Sequence, residues 1–154
     1  MMTEVKKKVL FVCTGNSVRS QMAEGLLKAL GSGQWKVQSA GIIQSYVHPL
    51  AIQVMEEIGI DISQQTSKSM DQFVDHKFDY VITLCDHAAQ FCPTFGGRGK
   101  RLHWPFEDPA GAIGTMEERL AVFRRIRDGI KTKIEEFLKS ESSEIPDAIA
   151  SFKF

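Results

Sequence analysis

The apolar run Val9-Leu10-Phe11-Val12 ends at Cys13, and helical spacing takes over with Met22, Ala23, Leu26, Leu27 and Leu30. Between them stands Cys13-Thr14-Gly15-Asn16-Ser17-Val18-Arg19-Ser20. A strand that turns this quickly into a helix commits the chain to a βα unit with a tight loop. The helix N-terminus and the loop aim backbone N–H groups at whatever the loop encloses. Arg19 adds a guanidinium fork that matches two oxygens of a tetrahedral oxyanion. In the same positive field Cys13 reads as a thiolate and a nucleophile. Asn16 tolerates a left-handed backbone and can hold the loop's shape. Ser20 can donate to the Cys13 sulfur or cap the helix.

The remaining elements alternate. Strands are expected at 8–12, 35–40, 80–84 and 101–104, and helices at 17–30, 48–58 and 116–138, with a short one at 71–76. Residues 61–68 and 105–114 read as loops, and 86–100 reads as a Gly-rich loop carrying Cys92. Alternation of this kind predicts an α/β fold with a parallel sheet. Right-handed crossovers then bring the loops after the first, third and fourth strands to one edge, the carboxyl edge where such folds bind ligands. At 154 residues the chain is one domain, expected over 1–139, with 140–154 as a C-terminal tail.

Charge excludes whole classes of partner. With 19 basic and 19 acidic residues the formal net charge is zero, which offers no footprint for nucleic acid and no pull toward a membrane. No apolar run reaches membrane-spanning length, and no signal-type segment follows the lysines at 6–8, so a soluble cytoplasmic monomer is expected. The three cysteines make a static disulfide framework an unsuitable reading. Oxyanion chemistry on a thiolate needs a proton donor for the departing oxygen. Asp108, in Phe106-Glu107-Asp108-Pro109-Ala110, is the best placed, although Asp-Pro also simply starts turns. Cys85 follows the third strand, so it belongs at the same edge, with Cys92 in the loop beyond. The pair reads as loop thiols within disulfide range, as small buried apolar residues, or as metal ligands with His87. The last departs from zinc spacings and has no fourth ligand, so no metal is expected. His48 and His76 read as surface residues, Trp104 as packing beneath the loop, and Arg124, Arg125 and Arg127 as a solvated helix face.

Together these motifs resemble a known family. Cys13–Ser20 continuing into Gln21-Met22-Ala23-Glu24-Gly25, Ser39-Ala40-Gly41, Gly59-Ile60-Asp61-Ile62-Ser63, Thr83-Leu84-Cys85 with Cys92-Pro93, and His103-Trp104 with Asp108-Pro109-Ala110-Gly111 resemble the thioredoxin-coupled arsenate reductases. These share the low-molecular-weight protein tyrosine phosphatase fold, and the resemblance covers about residues 8–138. It implies a three-layer fold with a four-stranded parallel sheet. It implies that Cys13 attacks arsenate, that Asp108 protonates the leaving oxygen, and that Cys13–Cys85 and then Cys85–Cys92 disulfides form. The resemblance implies that Cys85–Cys92 disulfide as the only redox group, with no bound cofactor. Thioredoxin is the implied electron donor, arsenic detoxification the implied role, and phosphate or sulfate the implied competitors. Gly96, Gly97 and Gly99 would let the loop move. Some members bind potassium with residues matching Asn16, Ser39 and Thr66 plus an acidic residue. Lys68 stands at the acidic position here, and its ammonium repels the ion or replaces its charge, so activity is expected to ignore potassium. Val18 stands where many relatives have another cysteine.

Two other readings use the same residues. A low-molecular-weight tyrosine phosphatase would use Cys13, Arg19 and Asp108 through a phosphocysteine and water. Such enzymes usually carry tyrosines just after the Asp-Pro, where this chain has Ala110-Gly111-Ala112. A non-catalytic oxyanion- or arsenic-binding regulator would need no general acid.

Overall fold

A parallel strand covered on both faces needs apolar side chains on both faces, and the 9–12 run supplies them. A computed structural model of the chain describes residues 6–92 and 99–150, with side chains through residue 142. In β1 (Lys7–Cys13), Val9, Leu10, Phe11 and Val12 are wholly buried. β1 lies inside a four-stranded sheet, between β2 (Trp35–Gly41) and β3 (Tyr80–Thr83), with β4 (Lys100–His103) beyond β3. All pairings are parallel. β4 is an edge, and Lys100, Arg101 and His103 stay exposed along it, charges that discourage pairing with another chain.

The order β2-β1-β3-β4 means that the chain leaves β1 in one direction and returns past it in the other. At such a reversal the loops after the two inner strands diverge and open a crevice at the carboxyl edge. The register sets β1 and β3 level there, with Val12 opposite Thr83. This is the three-layer α/β architecture the sequence predicts, with helices flanking the sheet. No helix among the described residues is long and apolar enough to cross a membrane.

α1 (Arg19–Leu30) is buried from Arg19 through Leu27, because β2 covers one side and the last helix, α4 (Met116–Ala150), another. α2 (Pro49–Glu56) starts at a cap made by His48, whose Nδ1 accepts from Leu50 N at 3.0 Å. Its ring also lies 5.0 Å from that of Phe123, so it is not the surface residue expected. α4 (Met116–Ala150) buries Leu120, Phe123, Ile126, Ile130, Ile134 and Phe137 along one stripe. The Phe137 ring meets Trp35, Tyr80 and Trp104 at 5.3, 5.0 and 5.6 Å. Trp104 also contacts Phe11 at 6.1 Å, so it packs under the sheet.

Several local expectations need correction. The last helix does not stop at 138 but continues to Ala150. Beyond 138, Glu141 accepts from Tyr80 Oη at 2.5 Å and from Lys7 Nζ at 2.9 Å, which ties this stretch to the sheet. The last residues of the tail, 151–154, lie outside the described residues. Arg127 is not on a solvated face. It is buried, and its Nη1 donates to Val54 O at 2.8 Å and Glu57 Oε1 at 2.9 Å. The end of α2 has carbonyls without helical partners, and a cation there satisfies one and complements the helix dipole. The expected 86–100 loop begins instead as a helix, α3 (Asp86–Phe91). Of its glycines, Gly96 and Gly97 lie outside the described residues. A Cβ on Gly99 would stand 2.1 Å from Phe78 O, so this glycine serves a close approach of two backbones.

Gly25 tests the packing of α1. Alanine in mid-helix is favoured over glycine by about 0.5–1 kcal/mol. Here its Cβ would stand 2.5 Å from Cγ2 of the fully buried Ile62, an overlap of the kind that costs about 1–3 kcal/mol. Packing outweighs propensity, so Gly25→Ala should destabilise the fold by about 1–2 kcal/mol in denaturant unfolding. A stabilised variant would show that this face of α1 is loosely packed.

Candidate active site

β1 brings Cys13 to the carboxyl edge and α1 begins at Arg19, so residues 14–18 must reverse the chain in a short arc. Asn16 makes the reversal with φ 51°, in the left-handed region. Gly41, at the end of β2, passes directly beneath. A Cβ on it would stand 2.4 Å from Ile43 O and 2.7 Å from Asn16 N. The arc's carbonyls are engaged from outside. Ile42 N donates to Cys13 O, Ile43 N to Thr14 O, and His48 N to Ser17 O, each at 3.1 Å. Ser67 Oγ donates to Gly15 O and Gln21 Nε2 to Asn16 O, also at 3.1 Å. With the carbonyls engaged from outside, the N–H groups of 14–18 are left for whatever the arc encloses. None of them has a backbone or side-chain acceptor among the described residues. Such a ring of donors is an anion nest.

Arg19 reaches into the same hollow. Its buried guanidinium donates from Nη1 to Phe106 O at 3.0 Å, and Nη2 lies 3.6 Å from Asp108 Oδ2. Nε is buried with no hydrogen-bond partner among the described residues. A buried N–H left without an acceptor is costly. A tetrahedral oxyanion in the arc would supply that acceptor and satisfy the ring of amides as well.

Cys13 is 2% exposed, and its Sγ lies 2.8 Å from Ser20 Oγ. Cys85 arrives from the end of β3, and its Sγ lies 3.3 Å from Thr14 Oγ1, at the rim of the arc. The same sulfur accepts from Ala88 N at 3.3 Å and so caps α3. Asp108 accepts from Ala110 N at 3.0 Å, starting a 3₁₀ turn at Pro109–Gly111, while its other oxygen faces Arg19. A cleft of about 670 Å³ opens over the arc, walled by Thr14, Arg19, Cys85, Asp86, His87 and the Phe106, Glu107, Asp108 stretch. The structure thus gathers Cys13, Arg19, Cys85 and Asp108. Cys92 stands apart at the far end of α3, where its N–H donates to Ala88 O at 2.9 Å. Burial pushes the Cys92 thiol up, with Arg101 opposing. All three cysteines are free thiols.

Behind the arc lies a polar network in which Glu24, Gln21 and Gln65, given no role from the sequence, join Asn16, Ser20 and Ser39. Asn16 Nδ2 donates to Ser20 Oγ and Ser39 Oγ, and Ser39 Oγ donates to Glu24. Gln21 bonds the arc on one side and Thr66 O and Gln65 on the other. The available signal is Glu24 itself, a carboxylate among Met22, Ala23, Gly25, Leu26 and Leu27 in a helix with no wet face. This region also decides whether the potassium ion that some members of the resembled family bind would fit. Lys68 Nζ donates to Thr66 O at 2.8 Å and lies 4.0 Å from Glu24 Oε1. An ammonium already holds the carbonyl that a metal ion would need, so the residues present do not fit potassium. Burial holds Lys68 below the usual lysine range, Glu24 opposing and Lys28 adding.

Comparison with known proteins agrees with this geometry. Residues 8–146 match the model of the low molecular weight phosphotyrosine protein phosphatase family. An arsenate reductase of Halalkalibacterium halodurans is 53% identical over 135 residues, 88% of this chain and 97% of the relative. A solved arsenate reductase in its phosphate-binding state superposes with TM-score 0.76 at 43% identity, over 87% of this chain and 98% of that one. A thioredoxin-dependent arsenate reductase of Corynebacterium glutamicum superposes with TM-score 0.72 at 28% identity, over 93% of this chain and 65% of that one.

An anion that binds only the folded state raises its stability by mass action. Phosphate should therefore raise the melting temperature, and Arg19→Met should abolish the rise. Exchanging sodium for potassium at constant ionic strength should leave the melt unchanged. A potassium-dependent rise would put the ion in the cradle despite Lys68.

Proposed function

We infer the reaction from one premise: the chain belongs to the low molecular weight phosphotyrosine protein phosphatase family and, within it, to the arsenate reductases. It is an enzyme, and its reaction is arsenate reduction. We propose that it works through a relay of Cys13, Cys85 and Cys92, with reduced thioredoxin as electron donor and arsenic detoxification as its role.

Arsenate enters the arc as a dianion and takes the bonds offered by the amides and Arg19. Phosphate and sulfate share its shape and compete. The Cys13 thiolate attacks arsenic, an S–As bond forms and an As–O bond breaks. Asp108, level with Arg19 at the cleft wall, gives the departing oxygen its proton. Cys85 then attacks the Cys13 sulfur. The S–S bond forms, the S–As pair goes to arsenic, arsenic falls from the pentavalent to the trivalent state, and arsenite leaves. The observation that carries this reading is the Cys85 sulfur 3.3 Å from Thr14 Oγ1, at the mouth of the loop that holds Cys13. A plain phosphatase has no use for a thiol there.

Cys92 closes the sequence by attacking Cys85 and releasing Cys13. In a helix, residues 85 and 92 would stand about 10 Å apart. A disulfide needs Cα atoms about 4.4–6.8 Å apart, so α3 has to unwind. The chemistry itself loosens it. Once the Cys85 sulfur is bonded to Cys13, its role as acceptor for Ala88 N weakens, and a six-residue helix loses its cap. Unwinding also brings the Cys92 thiol out of the burial that holds it protonated. The resulting Cys85–Cys92 disulfide is the substrate for thioredoxin, whose dithiol reduces it by exchange. Dependence on thioredoxin draws support from the Corynebacterium glutamicum protein.

A single turnover tests the order of events. With arsenate and no reductant, Cys92→Ser should release arsenite once and retain a Cys13–Cys85 disulfide, found by peptide mapping after alkylation. The parent protein should instead hold Cys85–Cys92. Arsenite release with every thiol still reduced, or a Cys92→Ser protein that cycles on thioredoxin at the parent rate, would contradict the relay.

A further inference from the structure

α3 has six residues, and a helix shorter than about 12–15 residues does not hold itself together in water. It depends on partners outside itself, and β4 supplies one at each end. His103 Nε2 lies 3.0 Å from Oδ1 of Asp86, the first residue of the helix. Arg101 Nη2 donates at 3.1 Å to the carbonyl of Cys92, the residue that ends it. Side chains two apart in a strand point to the same face, so one face of β4 reaches both ends of α3. Thr83 Oγ1, on the neighbouring strand, lies 2.8 Å from His103 Nδ1 and orients the ring. These anchors are set to the separation of a helix's ends. A Cys85–Cys92 disulfide draws the two Cα atoms from about 10 Å to about 4.4–6.8 Å. The ends of α3 then no longer match Arg101 and His103 together, and at least one of the two bonds is given up.

We propose that Arg101 and His103 are positioning residues for the relay: bonded to the two ends of α3, they favour the helix that keeps Cys92 away from Cys85, and so set how readily the Cys85–Cys92 disulfide forms. The proposal rests on the relay inferred above and deepens it. The sulfur cap from Cys85 is lost through the chemistry itself, whereas the bonds from β4 have no part in bond making and act on the helix alone. Their weight is modest. The Asp86 side chain is 93% exposed and that of His103 37%, and exposed charged contacts of this kind are each worth about threefold in an equilibrium. A small factor suits a helix that has to open once in every turnover.

The test measures an equilibrium and needs no arsenate. In the full chain carrying Cys13→Ser, Cys85 and Cys92 are the only thiols. Equilibration with glutathione oxidises them to one disulfide, while a glutathione disulfide is reduced to two thiols that take up the two protons released. At the ratio that leaves this protein half oxidised, adding His103→Leu or Arg101→Met should give about three-quarters oxidised, a threefold rise in the constant. His103→Gln, which keeps a donor for Asp86, should stay near half. In the reduced protein, amide exchange should quicken about threefold at Ala89 and Cys92, whose N–H groups bond to Cys85 O and Ala88 O, and not in α1. A general loss of stability would lower the melting temperature and leave the oxidised fraction in place. An unchanged fraction in folded His103→Leu and Arg101→Met protein overturns the proposal. If no glutathione ratio joins Cys85 to Cys92, the relay itself is removed, and amide exchange still decides whether β4 holds the helix.

Discussion

The structure is organised around a hollow whose hydrogen-bond donors have no acceptor among the described residues. An arc with all its N–H groups inward is unfavourable unless its carbonyls are satisfied elsewhere, because each buried polar group needs a partner. The surrounding elements meet that need. Ile42 and Ile43 come from the end of β2, His48 from the cap of α2, Ser67 from the segment after it, and Gln21 from α1. Gly41 lets the end of β2 approach the arc closely enough to do so. Arg19 adds a charge that no carboxylate among the described residues fully neutralises, since Asp108 reaches only one nitrogen, at 3.6 Å. The fold holds a concentrated positive field over one sulfur and leaves the balancing charge to the substrate.

Reduction asks more of this site than hydrolysis does. A phosphatase needs the hollow, the thiolate and an acid. The proposed relay also needs a second thiol close enough to take over the first sulfur, and a third that stays out of reach until then. The two requirements fall at opposite ends of one short helix. Cys85 caps α3 at the cleft, and Cys92 ends it in a buried position. Helical geometry keeps them apart while the site is reduced. In the proposed relay, loss of the sulfur cap weakens the helix at the step when they have to meet.

Much of this was legible in the sequence. The switch from a continuous apolar run to helical spacing at Cys13 located the loop, and the rule that parallel sheets bind at their carboxyl edge brought Cys85 and Asp108 to it. Residues whose environment is set by distant partners were not legible. Arg127 sits two residues from the exposed Arg125, and the end of α2, a helix more than seventy residues earlier, makes it a buried residue. Glu24 looks out of place in α1 until Ser39 and Lys68 arrive around it. α3 is too short for periodicity to register, and Gly99 beside it reads as flexibility when it serves a backbone contact. The extension of α4 has a serine-rich sequence, and its bonds to Lys7 and Tyr80 are what draw it toward the sheet.

The central claim is that electrons from a protein dithiol pass through this site to arsenic. The most direct measurement is arsenite formed against NADPH consumed, with the full chain, thioredoxin, thioredoxin reductase and arsenate present. The expected result is equimolar arsenite and oxidised NADPH, with no consumption when phosphate replaces arsenate. NADPH oxidation without arsenite, or no oxidation at all by protein that still hydrolyses phosphate esters, would contradict it.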